Sequence, residues 1–520
     1  GLFRVLKKFG IPDGINTALC IIAMILYGIM IGMGTSVIRA ILMFAMRLVA
    51  KLLKRTYDLL TASCVGVFFI LFEQPLYIYH SGFLLSFLSV IALGAFRPLF
   101  PERICKVDFL NKQADSFFST LTVWIVTLPV YGRFYYEVSM SGLILNVLIL
   151  PFVSLVLVFA IGACVLGMVY LPFGVVAARI CEAFLGAFET VFECCDMLCQ
   201  RTLILGHMSL TQCFLYFLGL IILLFIKEKL KKRYLYSGLL ILCAFLIVRF
   251  PKKLTITCLS VGQGDSAVIE YMDFVCVIDG GSSSEKEVAK YTILPFLKYR
   301  GIRKIDYLFL THADSDHING VEEILSQSQT GIQVERIVIT DAALLEEYGA
   351  IWEMAVRYNI PIYEMKQGDG VTSGKLKLEC MGPSEKILAD VGESNNETSL
   401  LLLLQKDDFS MLFTADAEGK GEAAMLDRLR KLGVRYLTVL KVAHHGSKYS
   451  TSDEFLGWVL PQVSIISCGE NNSYGHPHKE TLERLEKAES KVFVTKDCGA
   501  VTIEMGKKIE VSGYFSRNDK

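Results

Sequence analysis

The chain has 520 residues, with 52 Lys and Arg against 52 Asp and Glu, and its mean hydropathy is +0.47. Charged residues make up only 20%, below the usual share of about a quarter, and hydrophobic residues reach 53%. An ordinary soluble domain, a disordered chain, collagen and a disulfide-rich mini-domain are all excluded. The balanced charge conceals two unlike parts. Residues 1–250 carry 21 basic and 12 acidic side chains, a net of +9; the remainder carries 31 and 40, a net of −9.

The first part reads as membrane. Apolar runs recur at residues 15–34, 61–72, 82–96, 117–130, 143–170, 210–226 and 234–250. Several approach the roughly 17–25 residues that cross a bilayer. They predict a polytopic α-helical membrane domain over residues 1–250, with about seven to nine helices. Residues 143–170 are long enough for two shorter helices or a re-entrant pair broken at Pro151. Residues 175–198, interrupted by Arg179, Glu182, Glu189, Glu193 and Asp196, read as an amphipathic helix in or along the membrane. Lys227, Lys229, Lys231, Lys232 and Arg233 mark a cytoplasmic loop, which leans the second part towards the outside. Arg249, Lys252 and Lys253 pull the other way.

Arg39, Arg47 and Asn146 sit in apolar surroundings, where a polar group is expensive. They are either channel contacts or groups that snorkel and bond neighbouring helices. Ten of the fifteen cysteines lie in this part and suit apolar packing, with Cys194, Cys195 and Cys199 as a cluster open to redox chemistry. Gly rather than Met at residue 1 suggests a fragment or processed product, N-terminally incomplete.

From Leu254 onward the texture changes to short β-type runs at 254–259, 266–270, 274–278, 305–310, 336–339, 375–380, 399–405, 409–414, 437–442, 463–467 and 491–494. Helical stretches fall at 291–299, 320–326, 344–358, 419–432 and 479–487. This alternation predicts a layered α/β domain over residues 251–520, with 249–253 as the hinge.

Six of the eight histidines belong to it. The densest group is Thr311-His312-Ala313-Asp314-Ser315-Asp316-His317, directly after an apolar strand. Alternate side chains His312, Asp314 and Asp316 can converge there, while His317 reaches round from the next helix. A second strand ends at Asp416, a carboxylate able to bridge two ions. A third ends in Ala443-His444-His445-Gly446-Ser447. Three strands ending in ligand-type residues make a dinuclear site the economical explanation.

These residues carry a resemblance. His312, Asp314, Asp316 and His317 resemble the His-x-His-x-Asp-His signature of the metallo-β-lactamase superfamily, with Asp314 in place of the middle His. With Val261-Gly262-Gln263-Gly264-Asp265-Ser266, Ile278-Asp279-Gly280-Gly281, the double His and Tyr474-Gly475-His476-Pro477-His478, the chain is similar to the competence DNA-uptake channel family (the ComEC type). Residues 36–43, 82–90 and 139–151 are similar to that family's membrane core. The resemblance implies a multi-domain protein, a polytopic helical membrane domain followed by an αββα metallo-β-lactamase-like domain.

It also implies a ligand set of His312, Asp314, Asp316, His317, Asp416 and His445 around two divalent ions, manganese or zinc, with magnesium as the alternative. Asp316 would orient or deprotonate water; His444 and His476 would contact phosphate or protonate the leaving group. The usual third metal motif is replaced by Asn395-Asn396-Glu397-Thr398-Ser399, which removes one nitrogen ligand. Asn396, Ser399, Lys448 and His478 are the implied substrate contacts, and Lys441 is a further candidate for holding a nucleic-acid backbone. Asp265 and Asp279 read as loop-shaping.

The implied function is DNA internalisation in transformation: a bacterial inner-membrane channel for single-stranded DNA, with an extracytoplasmic nuclease domain that degrades the other strand. The bilayer, other competence proteins and a second copy of the chain are the implied partners. Two alternatives stay open, a tethered phosphodiesterase of small or lipid headgroup esters and a passive channel with a gating domain. The −9 charge of the second part argues against tight, free-standing duplex binding.

Overall fold

The computed structural model describes residues 2–101, 103, 105–198, 202–248, 252–340, 348–389, 396–506 and 508–515. It forms two compact units, Gly1–Val248 and Arg249–Lys520. Of the expected hinge, residues 249–251 lie outside the described residues, as do Cys199, Asn395 and the start of the 344–358 helix.

The first unit is almost wholly helical. Among the described residues, five helices are long and apolar enough to cross a bilayer: Asp13–Met30, Ser81–Leu99, Ser141–Val169, Leu171–Cys195 and Leu210–Lys229. That is fewer than the seven to nine expected, for reasons of length and charge. The run at 61–72 becomes the 15-residue helix Leu59–Glu73, and 234–250 becomes the 16-residue helix Lys232–Ile247. The run at 117–130 is the middle of Asp108–Phe134, whose first two turns carry Asp108, Lys112 and Asp115.

Two local readings change. Pro151 lies inside one unbroken 29-residue helix, Ser141–Val169. Proline removes one hydrogen bond, but unwinding in an apolar medium would strand several more backbone groups. Residues 171–195 also qualify as a crossing helix, with hydropathy 1.6. Their first 18 residues hold only Arg179 and Glu182, and the remaining acids cluster near the end. Ser141–Val169 is apolar along its length and leaves its most apolar stretch unburied, a surface suited to lipid and not to water. It pairs with Leu171–Leu198 through small residues: a Cβ on Gly174 would stand 2.5 Å from the Gly167 Cα.

Arg39 Nη1 donates to the Ser86 carbonyl at 3.0 Å, tying helix Thr35–Leu52 to helix Ser81–Ile91. That is the helix-bonding option. Asn146 faces a cavity of about 400 Å³ that Trp124, Tyr131 and Ser139 also line.

The second unit is two sheets face to face with helices outside. The first sheet runs Ile362–Glu364, Ile337–Ile339, Tyr307–Phe309, Phe274–Ile278, Ala267–Met272, Lys252–Cys258, Val501–Met505, Ile509–Gly513. The second runs Gly370–Ser373, Leu376–Gly382, Leu401–Lys406, Phe409–Phe413, Val439–Lys441, Val463–Ile466, Lys491–Val494. Alternation builds the space between them. Leu254, Ile256 and Cys258 from one sheet meet Leu402, Leu404, Phe409 and Met411 from the other in one buried cluster. The outer face of the second sheet, with Leu401, Leu403, Leu412 and Leu440, is covered by Met425, Leu429, Phe455 and Leu485 from helices Gly419–Leu432, Asp453–Val459 and Lys479–Lys487. On the far side Leu297, Ile324 and Ile351, from three further helices, are buried. The layering is αββα.

Each sheet is parallel over one half and antiparallel over the other. Tyr307–Phe309 pairs in parallel with Phe274–Ile278, and Phe409–Phe413 with Val439–Lys441, so all four chains leave each sheet at the same end. Loops after parallel strands collect at their carboxyl ends, where ligand groups gather. Glycine lets two of these loops touch backbone to backbone. Gly280 N–H donates to the His317 carbonyl at 2.8 Å, and a Cβ on Gly281 would stand 2.5 Å from the His317 backbone. Gly281→Ala should therefore push back the 312–317 loop and cost about 1–3 kcal/mol, read as a lower midpoint in denaturant unfolding.

Candidate metal centre

His312 and His317 stand on the loop after Tyr307–Phe309, both buried, at 3% and 0% exposed. Their ring centroids are 4.0 Å apart. Asp279, at the end of Phe274–Ile278, holds this loop in place. It accepts hydrogen bonds at 2.8 Å from the Thr311 N–H, the Thr311 hydroxyl and His317 Nδ1. With Nδ1 committed, His317 turns Nε2 inward, the outer-sphere arrangement common around metal-bound imidazoles.

The second sheet supplies the facing groups. Asp416 follows Phe409–Phe413 and is 3% exposed. Its Oδ1 lies 3.2 Å from His317 Nε2; its Oδ2 lies 3.6 Å from His444 Nε2 and 3.8 Å from His445 Nε2. His445 Nδ1 donates to the Ser467 carbonyl at 3.0 Å, and its Nε2 is 3.2 Å from Asp316 Oδ2. His444 Nδ1 is bonded to Glu418 Oε1 at 2.7 Å, and Glu418 also accepts from the Ser447 hydroxyl at 3.0 Å. His444 and His445 both take left-handed backbone, φ 47° and 53°. Such strain costs about 1–2 kcal/mol per residue, and the two neighbouring rings stand at 70° to each other, both with Nε2 towards Asp416 Oδ2.

Asp265, His317, Asp416 and His445 present ligand atoms all within 4.8 Å of one another. His312 Nε2, 3.6 Å from Asp314 Oδ2, adjoins this group. The buried His312 Nε2, His317 Nε2 and Asp416 Oδ1 make no hydrogen bond. Lone-pair atoms buried without donors are costly in protein and are satisfied by a cation, so the residues fit a divalent metal. Electrostatics agrees. Burial opposes the charge on Asp416, but His317 and His445 outweigh it and hold the carboxyl well below the usual range. Burial likewise opposes charging His317, yet Asp416 and Asp279 hold it well above its ordinary value. The cluster demands positive charge.

The expected substrate residues are less concentrated. His476 is buried, its ring centroid 5.6 Å from His444 and 6.1 Å from His445. Burial, helped by His445 and His444, pushes it down to about 4, so it is neutral at pH 7. His478 Nδ1 accepts from the Lys448 N–H at 3.2 Å, while the Lys448 side chain lies over the Tyr449 ring. Ser399 is buried and Asn396 half-buried, on a segment anchored where Leu400 N–H donates to the Thr311 carbonyl at 2.8 Å. Asp314 stands at the position before a short helix, its side chain making no capping hydrogen bond, and is partly exposed.

Three residues differ from the sequence reading. Lys441, expected to face nucleic acid, is 5% exposed and paired with Asp265 at 2.7 and 2.9 Å. Asp265 itself, read as loop-shaping, stands within the ligand cluster. Glu418 was overlooked, although it lies two residues after Asp416 and so had a local signal. Asp279 shapes its loop as expected, and also orients His317.

Paired sheets with a His- and Asp-rich rim define the metallo-β-lactamase fold. Residues 259–470 match the family model described as "Metallo-beta-lactamase superfamily", and residues 1–230 match that described as "Competence protein". The chain thus joins a stretch that matches the competence-protein model to one that matches the metallo-β-lactamase-superfamily model. It is 27% identical over 543 residues to ComE operon protein 3 of Bacillus subtilis, covering 99% of this chain and 67% of that one. It is 32% identical to Recombination protein 2 of Haemophilus influenzae over 51% of this chain, and 29% identical to Competence protein ComA of Neisseria gonorrhoeae over 48%. The match spans 31% and 32% of those two proteins. Among solved structures, the metallo-β-lactamase fold protein YhfI of Bacillus subtilis aligns with TM-score 0.35 and 12% identity, over 49% of this chain and all of that one.

Two substitutions probe the centre. Lys441→Met leaves Asp265 buried without its partner and should cost about 3–5 kcal/mol in urea unfolding; adding Asp265→Leu should recover most of it. Glu418→Gln should leave metal content intact by elemental analysis, while turnover falls about 10–100-fold because His444 loses its orienting carboxylate.

Proposed function

We propose that the chain acts in DNA internalisation during transformation, its membrane unit passing one strand while its metal-dependent hydrolase unit cleaves phosphodiesters of the other. One observation carries the reading: a buried Asp/His cluster fit for divalent metal, in a chain whose other domain is of the competence type. The membrane placement is multi-pass in the bacterial inner membrane, with the hydrolase unit outside. Other competence proteins, and a second copy of the chain, are the proposed partners.

His312, Asp314, Asp316, His317, Asp416 and His445 would hold two ions, manganese or zinc before magnesium. When bound, such ions neutralise a phosphodiester's charge and make a bound water acidic. The chain's own groups do the rest. Asp316, less buried than Asp416 and 3.2 Å from His445, orients the attacking water and accepts its proton. His444, steered by Glu418, faces the same space and delivers a proton to the departing oxygen. His476, neutral and beside it, donates or accepts a hydrogen bond at phosphate. Asn396, Ser399, Lys448 and His478 serve as substrate contacts; Asn146 belongs to the strand's path, while Arg39 holds two of its helices together.

Full chain in nanodiscs, given single-stranded and duplex DNA with Mn²⁺, Mg²⁺ or Zn²⁺, tests this. Cleavage should need added metal and fall at least about 100-fold in Asp316→Ala, a loss of about 2.7 kcal/mol. Turnover of a small phosphodiester without any DNA cleavage would transfer the function to a tethered esterase, which the unit's acidic charge would favour. Strand passage that survives Asp316→Ala would make the hydrolase unit a gate.

A further inference from the structure

Helices Asp13–Met30 and Thr35–Leu52 border a cavity of about 740 Å³, far in sequence from the metal loops. Its lining divides by chemistry. Cys20, Ala23, Met24, Phe44 and Leu48 are apolar, with Cys20 and Leu48 buried. Arg47, Lys51 and Arg55 are exposed cations. The helix explains the arrangement: Phe44, Arg47, Leu48 and Lys51 repeat at i, i+3, i+4 and i+7 on one face. Arg55 lies three residues beyond the helix end.

No carboxylate lines this cavity, and none of the three cations forms an ion pair with a described residue. Lys51 Nζ instead sits 4.2 Å from the Phe3 ring centroid. Three like charges around one cavity repel one another, and an anion relieves that repulsion. The apolar half sets a second requirement that a bare anion or a nucleic-acid backbone does not meet. Basic pockets between membrane helices, at helix ends level with the headgroups, meet both in an anionic phospholipid.

We propose that this cavity binds an anionic phospholipid, its phosphate against Arg47, Lys51 and Arg55 and its acyl chains along Met24, Phe44 and Leu48. Full chain in nanodiscs of phosphatidylcholine, with phosphatidylglycerol titrated in, tests it by native mass spectrometry and thermal unfolding. Phosphatidylglycerol should be retained and should raise the midpoint. In Arg47→Gln/Lys51→Gln/Arg55→Gln its affinity should fall about 100-fold, since each of the three cations near the surface contributes about fivefold. Lys54→Gln, one residue from Arg55 but off the lining, should leave binding unchanged. Arg55→Gln alone, outside the helix, should give a partial loss and serves if the triple variant fails to fold. Undiminished retention in both variants would overturn the site. Equal stabilisation by inorganic phosphate, or displacement of the lipid by a short single-stranded oligonucleotide, would overturn the lipid assignment.

Discussion

Asp416 is the constraint around which the second unit is arranged. Its carboxylate is buried, carries an oxygen without a hydrogen-bond donor, and faces imidazoles from two loops. A lone charge in that position would be prohibitive in an apolar interior. The surrounding design removes the penalty in layers. His317 and His445 turn their Nε2 atoms towards it because Asp279 and the Ser467 carbonyl occupy their other nitrogens. Thr311 then fixes Asp279, and the glycine loops let Asp279 come close enough to do so. The site is therefore a set of obligations passed outward from one carboxylate.

Much of this was legible because the ligand loops are local. His312, Asp314, Asp316 and His317 fall within six residues behind an apolar strand, Asp416 follows a second, and His444 and His445 follow a third. Strand periodicity located the loops, and side-chain chemistry marked the candidate ligands on them. What escaped were pairings the chain does not advertise. Asp265 and Lys441 meet across 176 residues, one from each sheet, and only the folded sandwich turns an expected surface lysine into a buried partner. The left-handed backbone at Asp279, Ala415, His444 and His445 was equally silent, because none of these is glycine.

The membrane unit was read well in kind and less well in count. Hydropathy finds apolar runs but not where a helix stops, so Thr61–Phe72 looked like a crossing although its helix ends at Glu73 after 15 residues. Pro151 misled in the other direction, since it does not end Ser141–Val169. Polar residues in such runs carried two readings, and packing distinguishes them only in part. Arg39 bonds a neighbouring helix, whereas Asn146 opens on a cavity.

The carboxylates and imidazoles of the candidate metal centre come from loops of both sheets, with Asp265, His312, Asp316 and His317 on one side and Asp416, His444 and His445 on the other. A cation that binds this cluster in the folded unit and not in the unfolded chain adds RT ln(1 + [M]/Kd) to the unit's stability, about 2.7 kcal/mol at a hundredfold excess over Kd. Scarcity of such a cation would then loosen the very layers that hold the cluster together.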